Sequence, residues 1–383
     1  MTPAELSRTV LRSVRGAVEE QELSVPVPAR IVVGPPPRPG CGDYASNVAL
    51  QLAGPAGRPA REVAEILRKR LAGSAGIARV EIAGPGFLNF TLGDGALVAL
   101  IREVLARGEE YGASSAGRAP GAADAVAGPA VAGPAANGPA ANGPVANGPV
   151  PAGAREAVVA EALARIDAVA GTPGREAVGH PALVPAPYDL ATLTARLGSD
   201  EARWVLLRPA AHDRVRVPER PVQRESNPRF QVQYAHARVR ALLRNAGDLG
   251  LVSEPGDVWP SSTAAAGGSS SAGPAPEQAP GHGATDPSAL PGPQALQALR
   301  TLLATYPSVI DVAARLRAPD RVVRHLEATA EAFFRWHDVC PPLPVGEQKP
   351  LAVHRARLAL AEAAGTVLAN GLRLLGISAP AHL

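Results

Sequence analysis

From Ala113 to about Gly153 the chain loses all helical and strand periodicity. In the same stretch Ala-Asn-Gly-Pro recurs, with Asn137, Asn142 and Asn147 each preceding Gly-Pro. So little charge and so few large apolar side chains cannot bury enough surface to offset the entropy of ordering. A disordered linker is therefore expected over 113–154. The stretch from Ser253 to about Pro293 reads the same way. The 39 glycines and 40 prolines of the 383 residues concentrate in such stretches, which signals linkers and not a collagen-like period. These breaks divide the chain into a unit at 1–112, a short helix with irregular linker at 155–187, and a unit at 188–383 with a disordered insertion at 253–293.

The first unit reads as α/β. Leu6, Val10, Val14 and Val18 recur at helical spacing. Ile31-Val32-Val33 reads as a short strand stopped by Gly34 and prolines. Tyr44–Leu52 and Ala60–Leu71 read as helices, with Asp43 capping the first and Pro59 opening the second. Ile77–Ile82 and Phe87–Leu92 alternate around Ala83-Gly84-Pro85-Gly86, the pattern of an antiparallel pair. Leu97, Leu100, Ile101, Val104 and Leu105 then form a closing helix.

From Tyr188 the pattern is helical throughout. Two short helices are expected from Leu190, Leu193, Leu197 and from Ala202, Trp204, Val205, Leu206. Asn227 is a good N-cap with Pro228 at the first helical position, and the helix that follows buries Val232, Ala235, Val239 and Leu242. Further helices are expected at Gln294–Leu303, Pro307–Leu316 and Pro319–His337. The last carries a stripe at Leu358, Ala361, Gly365, Leu368, Leu372 and Leu375 and stops at Gly376.

Several classes of function drop out. The apolar runs are too short to span a bilayer. The N-terminus carries Glu5, Glu19, Glu20 and Glu22 among its apolar positions, unlike a signal peptide. Cys41 and Cys340 give neither metal spacing nor a disulfide framework. A cytoplasmic location is the expectation. Between Arg203 and Arg244 there are ten arginines against three acidic residues, a local excess that favours a polyanionic partner.

Gly42-Asp43-Tyr44-Ala45-Ser46-Asn47, the helix after Pro59, Gly84-Pro85-Gly86-Phe87-Leu88-Asn89-Phe90 and Glu109-Glu110-Tyr111-Gly112 follow one another in a familiar order. In that order and spacing they resemble the N-terminal additional domain of arginyl-tRNA synthetase. Tyr188–Val217, centred on Asp200-Glu201-Ala202-Arg203-Trp204, is similar to the helical tail of that family's catalytic domain. Asn227–Asn245, Ala332–Pro344, Ala356-Arg357-Leu358 and Asn370–Pro380 resemble its DALR-type anticodon-binding domain. The fold class implied is α+β: a small N-terminal α/β additional domain and a C-terminal all-α helical bundle, separated by disordered Ala/Gly/Pro linkers.

The sequence also departs from the family. It contains no His-x-Gly-His and no Lys-Met-Ser-Lys-Ser, and Tyr111-Gly112 leads straight into the linker. Forming an adenylate needs fixed cationic and backbone donors around the ATP phosphates, and residues 113–187 are too few to build the sheet that holds them. The expectation is a chain that lacks the nucleotide-binding domain, is not an enzyme and takes no cofactor.

What remains is binding. Single-stranded RNA loops are read by stacking bases on aromatic or Arg planes while Arg side chains hold the backbone. Tyr234 and Arg238 share a helical face; His236, Arg240 and Arg244 line the adjacent one. Trp336 and His337 beside Arg335, with Arg355 and Arg357 at the start of the last helix, add similar groups. Tyr234 and Trp336 read equally as packing residues. The resemblance implies that the first domain touches the tRNA elbow, with Phe87 and Asn89 as contacts. The expected partner is tRNA, in particular arginine tRNA, with a full-length synthetase as a further partner and neither DNA nor membrane. The alternative is a protein-docking module that has lost RNA binding, favoured if Arg238, Arg240, Arg244, Arg355 and Arg357 do not form one face.

Overall fold

Helix α1 (Pro3–Glu19) lays Leu6, Val10, Val14 and Ala17 along one fully buried stripe, as a 3.6-residue repeat requires. The structure is a computed structural model that describes residues 3–34, 36, 41–93, 95–113, 153–172, 182–219, 226–259 and 291–383. The greater part of both expected linkers, 114–152 and 260–290, lies outside the described residues.

After α1 come β1 (Tyr44–Ser46), α2 (Val48–Ala56), α3 (Ala60–Leu71), β2 (Ile77–Ala83), β3 (Phe87–Leu92) and α4 (Gly95–Arg107). The three strands form one antiparallel sheet in the order β1-β3-β2, with Val80 opposite Phe90. Two sequence expectations fail here. Ile31–Val33 is no strand; only an isolated bridge joins Gly34 to Ala45. Tyr44 opens a strand and not a helix. The cause is Gly42, whose φ is +85° and whose backbone lies so close to β3 that a Cβ would sit 2.7 Å from the Phe90 carbonyl oxygen. That approach lets the Asp43 N–H donate to Phe90 O at 2.6 Å. The Asp43 carboxylate in turn accepts from the Leu92 N–H at 2.6 Å. Asp43 thus braces β3 and does not cap α2.

The rest of the chain holds α5 (Ala154–Ala170), α6 (Leu190–Leu197), α7 (Ser199–Leu207), α8 (Pro228–Asp248), α9 (Pro291–Leu316), α10 (Asp320–Val339) and α11 (Ala352–Leu375). The chain is therefore mixed, with eleven α-helices among the described residues and one small antiparallel sheet. Two separate apolar cores divide it. One joins α1, α2, α3 and the sheet. The other joins α5 to α11, and it also takes Leu100, Ile101 and Val104 from α4 and the ring of Tyr111. Helix α4 follows the sheet in sequence yet packs with the bundle.

Helix α9 runs unbroken through Pro307, where the sequence suggests two helices. A proline has no N–H, so the carbonyl four residues before it loses its helical donor. That carbonyl belongs to Leu303, and the Tyr111 hydroxyl donates to it at 2.9 Å. A side chain from the other unit thus supplies the missing bond. Residues 253–259, expected within the disordered insertion, are held as well: Val258 is buried, and the Glu254 N–H donates to Arg355 O at 3.2 Å.

The stripe on α11 is buried along its length, and Gly376 ends the helix in the left-handed region at φ +70°. At Gly365 a Cβ would lie 2.7 Å from Val239 Cγ1, so α8 and α11 touch backbone to side chain. By length and composition α11 is apolar enough to cross a membrane, contrary to the expectation that no run was; most of it is buried inside the bundle.

Candidate nucleic-acid interface

Asn227 caps α8 by accepting from the N–H groups of Arg229 at 2.9 Å and Phe230 at 3.3 Å, with Pro228 following it. Val232, Ala235, Val239 and Leu242 fix the inward face. The flank turned towards α10 carries a column of rings. Phe230 stacks on Tyr234 with centroids 5.9 Å apart, and Tyr234 on Phe334 of α10 at 5.5 Å. Phe333 lies behind, 5.8 Å from His337. Tyr234 is 38% exposed, and Arg238, one turn on, is exposed. The His337 imidazole is held below its ordinary value, first by burial and then by the positive Arg238 beside it. Flat, partly open rings next to a free guanidinium are what unstacked bases and their phosphates need.

The other residues singled out from sequence are placed differently. His236 is buried; its Nδ1 donates to Pro380 O at 3.0 Å, and burial lowers its pKa. Arg244 donates to Ala381 O at 3.3 Å and to His382 Nδ1 at 3.2 Å. The last residues of the chain therefore lie over this second flank, where Arg240 is exposed. Trp336 is fully buried and offers no face to a base. Its place follows from the stripe Val322, Leu326, Thr329, Phe333, Trp336, all inside.

Arg357 donates to Val258 O at 3.1 Å and Pro341 O at 3.2 Å, and Arg355 lies 3.5 Å from Glu254; both hold the 251–259 segment. The five arginines do not form one face. On β3, Phe87 is 38% exposed but Asn89 is buried, because β3 is the middle strand and Asn89 sits between Ala45 and Glu81. Sequence reasoning missed Phe230 and Phe334. Phe230 was within reach, lying one turn before Tyr234 on the same face; Phe334 needed the packing of α8 on α10. Among the described residues no group of three or more His, Cys, Asp or Glu could hold a metal ion.

Comparison with known proteins gives this geometry its class. Residues 8–92 match the family model of the arginyl tRNA synthetase N terminal domain, and residues 282–383 that of the DALR anticodon binding domain. The second match takes in α9, α10 and α11, with Phe334; α8 precedes it. The chain is thus similar to a synthetase domain in one stretch and to an anticodon-binding domain in another.

Particular relatives sharpen this. The arginine–tRNA ligase of Frankia alni is 27% identical over the whole length of both chains. That of Paenarthrobacter aurescens is 36% identical over 51% of this chain and 30% of its own. That of Renibacterium salmoninarum is 49% identical over 30% of this chain and 22% of its own. The chain spans less than a third of these last two proteins. Among solved structures, Thermus thermophilus arginyl-tRNA synthetase is similar in fold, with a TM-score of 0.58 at 13% identity and both chains fully covered.

These findings overturn the expectation that the chain is not an enzyme. The relatives are named as ligases, and the first is aligned with this chain end to end, which points to an enzyme. That expectation rested on the absence of two short motifs and on the shortness of residues 113–187. The loss of a nucleotide-binding domain is not shown by this alignment, which runs over 596 positions.

Proposed function

We propose that the chain serves arginine–tRNA ligation and grips arginine tRNA at two places. The helical unit, 188–383, takes the anticodon loop on the Phe230, Tyr234 and Phe334 column, with Arg238 on the adjoining backbone. The N-terminal unit, 1–112, takes the elbow, with Phe87 as its exposed aromatic contact. The observation that carries this reading is the stacked, partly open column of three rings beside Arg238. It lies where α8 meets α10, and α10 falls within the match to the anticodon-binding family model. Proteins bind single-stranded RNA through such platforms.

The scatter of the other arginines is what a protein-docking module would also show, and a binding measurement separates the two. Filter binding of the full chain to arginine tRNA and to an unrelated tRNA is expected to show tighter binding of the first, falling steeply with salt. Equal, weak binding of both would sink the proposal and favour docking on a protein.

A further inference from the structure

An open groove of about 1020 Å³ adjoins the aromatic column, lined by the end of α7, the segment after it, the start of α8 and the first half of α10. Its basic residues are Arg208, His212, Arg214, Arg216 and Arg324. Three of them already face carboxylates. Arg208 is 2.7 Å from Glu327, Arg324 is 3.2 Å from Asp320, and His212 is 3.6 Å from Asp213. The groove's remaining carboxylate, Glu201, is taken by Arg229. Arg214 and Arg216 are exposed and form no ion pair with the described residues. Between and after them, Val215 and Val217 pack on the bundle core. That alternation turns both guanidinium groups to the groove side.

The segment carrying them has no regular secondary structure, yet it is pinned. Arg155, 1% exposed, donates to Pro209 O at 2.9 Å, Ala210 O at 2.8 Å, Ala211 O at 3.3 Å and Asp213 O at 3.0 Å. A fifth bond reaches Val184 O at 2.8 Å. Burying a guanidinium is costly unless its donors are used, and here they hold the wall of the groove. The backbone leading into the two arginines is thus held before any partner arrives. The groove is also close to the rings. Pro228 and Arg324 line it, and Tyr234 and Phe334 lie further along the same two helices, which pack together. At about 1.5 Å of rise per residue that is roughly 9 to 15 Å, the length of three or four stacked nucleotides at about 3.4 Å each.

We infer that this groove takes the phosphates of nucleotides adjoining those stacked on Phe230, Tyr234 and Phe334, with Arg214 and Arg216 as the contacts. One RNA strand is then held by its bases in the column and by its backbone in the groove. The inference rests on the tRNA-binding reading above.

The test is a salt titration of the full chain with an anticodon stem-loop RNA of arginine tRNA. Replacing both groove residues (R214S with R216S) is expected to weaken binding about ten- to a hundredfold. It is also expected to lower the slope of log K against log salt by about 2, since each phosphate contact contributes roughly one unit. A charge-matched pair in the N-terminal unit, R58S with R61S, is expected to leave the slope unchanged, because this RNA has no elbow. Unfolding midpoints equal to wild type confirm that the variants fold. An unchanged slope in the groove variant, with wild type still binding, overturns the inference alone. Absence of binding by wild type overturns this inference together with the reading it rests on.

Discussion

Asp43 and Arg300 form an ion pair across the seam between the two cores, 257 residues apart in the chain. Both side chains are largely buried, at 9% and 15% exposure. Asp43 also accepts from the Leu92 N–H, and Gln297, one turn before Arg300, donates to Gly42 O at 3.4 Å. The loop that begins β1 is therefore locked to α9 through the same carboxylate that braces the sheet. Removing one partner of a buried pair strands the other. Asp43→Ala is expected to cost about 3–5 kcal/mol in urea unfolding. With Arg300→Ala added, the double variant should fall short of the sum of the singles by more than about 0.5 kcal/mol; simple additivity would show that the two are not coupled.

The Tyr111 hydroxyl does one job, filling the carbonyl of Leu303 that Pro307 leaves open. Tyr111→Phe keeps the ring and removes the donor, leaving a buried oxygen without a partner. A loss of about 1–3 kcal/mol is expected. In a Pro307→Ala background the new N–H can serve Leu303, so the same change should cost less than half as much.

Burial holds the His325 imidazole down at about 4, against about 6.5 for an ordinary histidine. The unfolded chain takes up this proton near 6.5, whereas the folded chain resists until about 4. Its contribution to stability is therefore complete above pH 6.5 and is lost as pH falls from there towards 4, by about 3 kcal/mol in all. His325→Leu should flatten the pH dependence of the urea midpoint within that window. An unaltered difference between pH 7.5 and pH 4.5 would refute the assignment.

At Gly365 the backbone of α11 meets Val239 too closely for a methyl group. The β-branched partner is stiff and fully surrounded, so it cannot move aside. Gly365→Ala is expected to destabilise by about 1–3 kcal/mol despite the gain in helix propensity, read as a lowered thermal midpoint.

In the ring column, Tyr234→Ala and Phe334→Ala should each weaken binding of arginine tRNA by about 1–3 kcal/mol. Trp336→Phe, a change inside the core, should leave affinity unaltered. If Trp336→Phe weakened binding as much as Tyr234→Ala, the column would not be the contact surface.

Much of this molecule is legible in its sequence wherever the determinant is local. Periodicity alone places α3, β3 and the stripe of α11, and the Asn227-Pro228 pair marks the start of α8 correctly. What sequence does not show depends on a distant group. Tyr44 is strand and not helix because the Phe90 carbonyl reaches Asp43. Pro307 fails to break α9 because of a hydroxyl far back in the chain. His236 and Arg244 look free on a helical wheel, yet the last residues of the chain lie across them. Phe334 becomes part of a site only when α10 sets it against Tyr234. Trp336 is the one site residue that its own stripe places inside.

The proline inside α9 sets a limit on how this chain can be shortened. A fragment beginning after residue 112 would carry the proline without the hydroxyl that answers it. The fragment would also open the socket filled by Leu100, Ile101 and Val104. The smallest piece with a whole bundle must therefore reach back at least to Gly95, inside what sequence alone presents as the other unit. Helix α4 works as a tenon: it is cut from one board and seated in the next, so neither part can be lifted away undamaged.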